Sequence, residues 1–414
     1  MSDLIGAEQL YYRKGFGLKG EVADELAEAY HSDLVNRVVE AGHRLEVGGM
    51  TIRLAREFGN CYGVDRAVQY AYETRRRFAD RRIFLTGELI HNPHVNREML
   101  AKGIGFLTGH YAGETTYESL TAEDVVILPA FGAPTDVMHR LKESGCVLVD
   151  TTCGSVLLVW KTVERFAKDG FTAIIHGKYA HEETRATASR ALEYPDGAYL
   201  IVRDLAETEL VTDFIRRGVG DAGGGETGRP DARDLTERFR KAISPGFDFE
   251  RHLDRVGIAN QTTMLMRETE AVAEEFRKVM IDRHGEAQIA DHFRALDTIC
   301  SATQERQDAV EDLLADPPDL MIVLGGYNSS NTNNLARICA RAVPTYHIDD
   351  SSCIEGPDAI RHKPVDATAE TRVEGWLPDG PLEIGLTAGA STPNIKVGET
   401  IERLAGCRGL VVPA

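Results

Sequence analysis

The chain has no uninterrupted run of about 18 apolar residues, the length a helix needs to cross a bilayer, so a membrane-spanning protein is not expected. Its opening, MSDLIGAEQLYY, lacks the apolar core of a secretory signal, and a cytoplasmic protein is expected. Positive charge is in deficit. Against 65 Asp and Glu stand 47 Lys and Arg, a formal net charge of -18, so the dense basic footprint of a dedicated nucleic-acid binder is missing. The seven cysteines are odd in number and scattered, with no CxxC pair, which excludes a small disulfide-stapled scaffold. No Gly-rich loop ends in the GK[ST] of a P-loop, and no full GxGxxG follows a strand-like run. A redox enzyme built on this chain would therefore draw its electrons from another component.

What is present is an ordinary globular composition, 43% hydrophobic and 27% charged over 414 residues, which is long enough for two or three domains. An acidic total still permits an anionic small-molecule substrate if donors converge in a cleft. Short Val/Ile/Leu-rich runs end in small or polar residues and give way to helical patterns. Strands are expected at Arg82–Leu85, Val125–Leu128, Val147–Val149, Ala173–Ile175, Tyr199–Val202, Val256–Ala259, Met321–Leu324, Thr345–Ile348 and Ile384–Leu386. They alternate with helices such as Val64–Phe78, Val156–Lys168 and Thr263–Met280, the pattern of an α/β protein with largely parallel sheets. In such sheets, sites form beyond the carboxyl ends of the strands. Before this region, one helix is expected at Val22–Ala41, stopped by Gly42. The run Asp221–Pro230, with three consecutive glycines, reads as a flexible insertion.

Three cysteines stand at turns before helical runs: Cys61 in GNCYGVDRAV, Cys153 in DTTCGS and Cys300 in DTICSATQERQ. Helix N-terminal amides stabilise thiolate, the form that ligates metal and attacks as a nucleophile. Their separations of 92 and 147 residues do not by themselves distinguish buried thiols, a shared metal or iron-sulfur site, and redox chemistry. Cys146, Cys339 and Cys407 read as structural, and Cys353 follows two acids that give a thiolate no help.

Polar clusters occupy the expected strand ends. GELIHNPHV supplies His91 and Asn92, and HGKYAHEETRAT supplies His181, Glu182 and Glu183, where imidazoles can bind phosphate and a carboxyl group can deliver a proton. NQTTM carries Thr262, GGYNSSNTNNL carries Ser329, Ser330 and Asn331, and GLTAGASTP carries Ser391. Hydroxyls, amides and helix N-termini of this kind suit a phosphate or diphosphate. Each cluster alone also reads as a cap or turn.

In their order, NCYGVDRAV, ELIHNPHV, DTTC, AHEETRAT, NQTT, ICSATQERQ, GGYNSSNTNNL and GLTAGASTP resemble the 4-hydroxy-3-methylbut-2-enyl diphosphate reductase family, called IspH or LytB, over about residues 52 to 394. The resemblance implies three α/β domains in a trefoil-like arrangement around a 4Fe-4S cluster. It implies an N-terminal extension at 1–51, domains at 52–152, 153–299 and 300–394, and a C-terminal helix and tail at 395–414. Cys61, Cys153 and Cys300 are implied as cluster ligands, and His91, His181, Thr262, Ser329, Ser330, Asn331 and Ser391 as substrate contacts. Glu183 with Thr262 is implied for proton delivery. The implied reaction is the last step of the non-mevalonate isoprenoid pathway, yielding isopentenyl and dimethylallyl diphosphates and water with two electrons from a ferredoxin or flavodoxin. The longer N-terminus resembles the cyanobacterial and plastid-type branch. One departure is PAFGAP, where Phe131 stands at a position that many bacterial relatives give to His. Two other classes fit the clusters taken singly: a metal-dependent phosphohydrolase and a noncatalytic diphosphate-binding module.

Overall fold

The computed structural model describes residues 10–217, 231–296 and 298–412. The expected insertion Asp221–Pro230 lies outside the described residues. Contacts divide the chain into two units, one made of Phe131–Gly145 and Thr152–Cys300, the other of Leu10–Ala130, Cys146–Thr151 and the chain from Ser301 onward.

The first unit is built on one parallel sheet, with strands in the order Phe293–Ala295, Val256–Asn260, Thr172–His176 and Tyr199–Val202. Every residue of the two central strands is buried, which is why their sequences read as continuous apolar runs without alternation. The helix Gly154–Lys168 buries Val156, Val159, Trp160, Val163, Phe166 and Ala167, a stripe at three- and four-residue spacing. Phe166, Phe171, Phe249 and Phe276 fill the core.

The second unit holds two larger sheets. One is parallel throughout, in the order Tyr11–Tyr12, Val147–Asp150, Val125–Leu128, Ile83–Leu85 and Ile104–Phe106. The other runs Thr345–Ile348, Leu320–Leu324, Leu382–Ala388, Met50–Leu54 and Arg44–Val47, parallel except for its last pair. The boundary expected between residues 51 and 52 thus falls inside a strand that pairs with Leu382–Ala388. An antiparallel pair, Ala359–His362 with Thr371–Glu374, forms a separate two-stranded sheet that packs Ile360 into the core of the second of these sheets.

The nine expected strands are all present: three coincide with their expected bounds, four are longer by one or two residues, Leu382–Ala388 is longer by four, and Ile83–Leu85 is one residue shorter. The single helix expected at Val22–Ala41 is instead two, Lys19–Tyr30 and Asp33–Glu40. Ser32 takes extended backbone angles, and its hydroxyl accepts the Val35 N–H at 3.3 Å, so a cap interrupts a pattern that apolar spacing alone would continue. The second of these helices buries Leu34, Val35 and Val38 against Met50, Ile52 and Leu386. The helix expected at Thr263–Met280 begins at Met266, because Met264 N–H closes a turn on the Gln261 carbonyl, and it extends to His284. No helix among the described residues is long and apolar enough to cross a membrane.

Two fully buried histidines lie close to the strand ends. His176 bonds Thr269 Oγ1 through Nδ1 at 2.8 Å, and His347 reaches the Gly325 carbonyl from Nε2 at 2.9 Å. Burial pushes both imidazoles down to about 4. The unfolded chain takes up these protons near pH 6.5, and the folded chain holds them off until about 4. Their contribution to stability is therefore complete above pH 6.5 and declines as the pH falls from 6.5 toward 4, by about 3 kcal/mol for each histidine. Urea titrations at stepped pH are expected to show this slope, and His347→Gln is expected to flatten it.

Candidate active site

In the second unit, Cys61 is the N-cap residue of the helix Tyr62–Arg77. Its backbone N–H donates to the Ala390 carbonyl at 3.1 Å. The Ala390 N–H in turn donates to Asn331 Oδ1 at 2.9 Å, and Ser391 Oγ donates to the His91 carbonyl at 3.2 Å. Four segments far apart in sequence are thereby tied together beyond their strand ends. Ser329 caps the helix Ser330–Cys339, with its Oγ accepting from Thr332 N at 3.3 Å. Ser330 Oγ and Asn331 Nδ2 are buried at the start of this helix and have no hydrogen-bond partner among the described residues. Unmet buried donors at a helix N-terminus form an environment built for an anion.

His91 precedes the helix Pro93–Ala101, which Asn92 caps through its side-chain oxygen, to His94 N at 3.0 Å and Val95 N at 3.3 Å. Asn92, read from sequence as a possible substrate donor beside His91, therefore has its oxygen engaged as a cap. Glu88 and Arg306 were not legible as site residues. Glu88 Oε2 lies 2.8 Å from His91 Nδ1. Arg306, only 3% exposed, donates from Nε and Nη2 to the Gly59 carbonyl at 3.1 and 2.7 Å, and so fixes the turn that presents Cys61. The sequence signal for each was proximity alone: Glu88 lies three residues before His91, and Arg306 six after Cys300.

In the first unit, Cys153 is the N-cap residue of Gly154–Lys168 and packs beside Val156, Trp160 and Ala186. Glu183, 3% exposed, lies in the first turn of the helix Glu182–Ser189. Its Oε1 accepts the Thr262 N–H at 2.6 Å, while the Thr262 carbonyl accepts Cys300 N–H at 3.4 Å. His181 caps the same helix by accepting Glu183 N–H at Nδ1, 3.2 Å away. With Nδ1 an acceptor, the neutral ring carries its proton on Nε2, which is then a donor. Phe131 meets His181 edge to face at 6.3 Å between centroids. The departure at Phe131 thus gives His181 an apolar wall in place of a further donor.

The next residue is under a tighter constraint. Gly132 has φ +78, and a Cβ there would lie 2.2 Å from Trp160 Cζ2. Arg190, 1% exposed, lies over that indole with its guanidinium 3.9 Å from the ring centre, which restrains the ring. Gly132→Ala is expected to destabilise the protein by about 2–4 kcal/mol, through overpacking added to left-handed backbone strain. Denaturant midpoints for the variant and the parent provide the check.

No disulfide joins the described cysteines. Burial pushes the Cys339 thiol up to about 12, and burial together with the neighbouring Asp349 carboxylate pushes Cys353 up to about 11. Cys146 is fully buried in the core. Cys61, Cys153 and Cys300 differ from these: each is part-exposed, and each immediately precedes a helix or caps it.

The chain matches the LytB protein family over residues 52–405. It is 47% identical over 404 residues to the 4-hydroxy-3-methylbut-2-enyl diphosphate reductase of Gloeobacter violaceus, a match covering 97% of this chain and 93% of the relative. It is also 47% identical over 396 residues to the enzyme of that name from a Synechococcus species, covering 95% of each. The solved structure of the E-1-hydroxy-2-methyl-but-2-enyl-4-diphosphate reductase from Plasmodium falciparum shares the fold, with a TM-score of 0.59 at 18% identity over 86% of this chain and 87% of that one.

Proposed function

This chain belongs to the LytB protein family, and from that premise we propose that it removes the hydroxyl group of 4-hydroxy-3-methylbut-2-enyl diphosphate reductively, giving water with isopentenyl and dimethylallyl diphosphates. It is a reductase of this allylic diphosphate. A carbon–oxygen bond breaks and a carbon–hydrogen bond forms. Two electrons and two protons enter, one proton leaving in water and the other on carbon.

The observation that carries the substrate reading is the pair of buried, unmet donors, Ser330 Oγ and Asn331 Nδ2, at one helix N-terminus. Together with Ser329, Ser391 and His91 of the same unit they bind the diphosphate. These contacts hold the substrate by its unreactive end, so that binding energy orients the hydroxyl end. Ser391 gives up its bond to the His91 carbonyl when it turns to phosphate.

Cys61, Cys153 and Cys300 are the residues that would hold a 4Fe-4S cluster, which when bound supplies one-electron steps and a Lewis-acidic iron for the hydroxyl oxygen. The donor set fits it in its chemistry, since three part-exposed cysteines, each at the start of a helix, supply the sulfur ligands such a cluster takes. Glu183 holds the proton required at the reacting end. Thr262 fixes that carboxyl group through its backbone N–H and offers its hydroxyl as a relay. With no dinucleotide fingerprint in the sequence, the electrons come from a ferredoxin or flavodoxin in the cytoplasm.

The test is anaerobic incubation of iron- and sulfide-loaded protein with the allylic diphosphate and a chemical reductant. Both isoprenoid diphosphates are expected. Phosphate release without reductant would replace this reading with a phosphohydrolase.

A further inference from the structure

The polar groups around His91 include one that the diphosphate reading does not explain. Glu88 is a carboxylate placed beside residues that bind an anion, where its charge alone would weaken binding. Its Oε2 is 2.8 Å from His91 Nδ1, and the same oxygen accepts from Asn328 Nδ2 at 2.7 Å. Both side chains are largely buried, 9% exposed for His91 and 18% for Glu88. The backbone is fixed as well. Ser391 Oγ reaches the His91 carbonyl, and Gly326 packs so closely that a Cβ there would lie 2.4 Å from that carbonyl oxygen. The loop carrying Asn328 is thus seated directly on His91.

We infer that Glu88 is a positioning residue for diphosphate binding: by accepting the Nδ1–H of His91 it sets the plane of the ring and supplies the counter-charge for an imidazolium that donates from Nε2 to phosphate. A neutral imidazole donating from Nδ1 would turn a lone pair at Nε2 toward the anion. The carboxylate removes that conflict, because an imidazolium between Glu88 and a phosphate donates to both. Asn328, donating to the same carboxylate oxygen, holds the Glu88 side chain in place against the ring. This inference rests on the assignment of His91 to the diphosphate, and it adds the group that prepares His91 for that task.

The test uses anaerobically prepared, cluster-loaded full-length protein in the parent form and as Glu88→Ala, Glu88→Gln and His91→Ala. Steady-state kinetics with the allylic diphosphate are read together with inhibition by inorganic pyrophosphate and with iron content. Glu88→Ala is expected to raise KM about 10- to 100-fold and to weaken pyrophosphate inhibition in parallel, with kcat changed by less than about threefold. Glu88→Gln keeps an oxygen for Nδ1–H in the same shape, so it is expected to fold and to raise KM less than the alanine variant does. An unchanged KM in Glu88→Ala alongside a raised KM in His91→Ala would overturn the role of Glu88 and leave that of His91 standing. A fall in kcat with KM and pyrophosphate inhibition unmoved would also overturn it. If His91→Ala itself leaves KM unchanged, the diphosphate assignment of His91 fails, and this inference fails with it.

Discussion

Cys153→Ser is expected to lose its iron and sulfide and, with them, all measurable reduction of the allylic diphosphate. The thiol stands at the N-cap of Gly154–Lys168, at the start of a helix, and is the group proposed to ligate iron there. A serine hydroxyl in the same place remains protonated at neutral pH and is a poor ligand for iron in a sulfur environment. Packing changes little, since the residue is part-exposed beside Val156, Trp160 and Ala186. The same substitutions at Cys61 and Cys300 are expected to behave alike. Cys339→Ser supplies the contrast: it places a hydroxyl in a fully buried helical position, so it is expected to cost about 1–3 kcal/mol of stability while iron content stays at the parental level. Iron and sulfide analysis, visible absorbance and anaerobic turnover distinguish the two outcomes. A fully loaded and active Cys153→Ser would remove Cys153 from the ligand set.

Glu183→Gln is expected to reduce turnover by about 10²- to 10⁴-fold with folding and iron content preserved. The amide oxygen of Gln can still accept the Thr262 N–H that Glu183 Oε1 accepts at 2.6 Å, and the helix Glu182–Ser189 keeps its His181 cap. On the proposed assignment, what the substitution removes is the transferable proton. Because the proposed role of Glu183 is at the reacting end of the substrate, the loss is expected in kcat with KM nearly constant. Turnover near the parental rate would remove Glu183 from proton delivery. A variant that loses iron as well would show that its bond to Thr262, whose carbonyl receives Cys300 N–H, is structural for the cysteine turn.

The α/β character was legible because buried parallel strands leave a strong one-dimensional trace. VVIL at 125–128 and LMIVL at 320–324 are apolar throughout and end in small or polar residues. Strands such as Arg44–Val47 and Thr371–Glu374 were not anticipated. They lie at a sheet edge or in a separate pair, where exposed polar residues dilute the pattern. Met50–Leu54 does alternate between buried and half-buried positions, yet besides its neighbour Arg44–Val47 it pairs with Leu382–Ala388, more than 300 residues away. Local sequence carries no record of that pairing.

For the site, sequence by itself determined the chemical inventory. Cysteines before helices, a glutamate two residues beyond a histidine, and Ser-Ser-Asn after a strand are local patterns, and their order along the chain identifies the family. The tertiary structure alone decided which groups act on which. It joined Glu183 to Thr262 across 79 positions, Ser391 to His91 across 300, and Arg306 to the turn before Cys61 across 247. It also gave the Asn92 side-chain oxygen a capping role and brought Glu88 and Asn328 together on one imidazole. The reason is physical: residue identity limits what a group can donate, accept or ionise, whereas hydrogen bonds and burial depend on distances in space that only the packed sheets and their loops set.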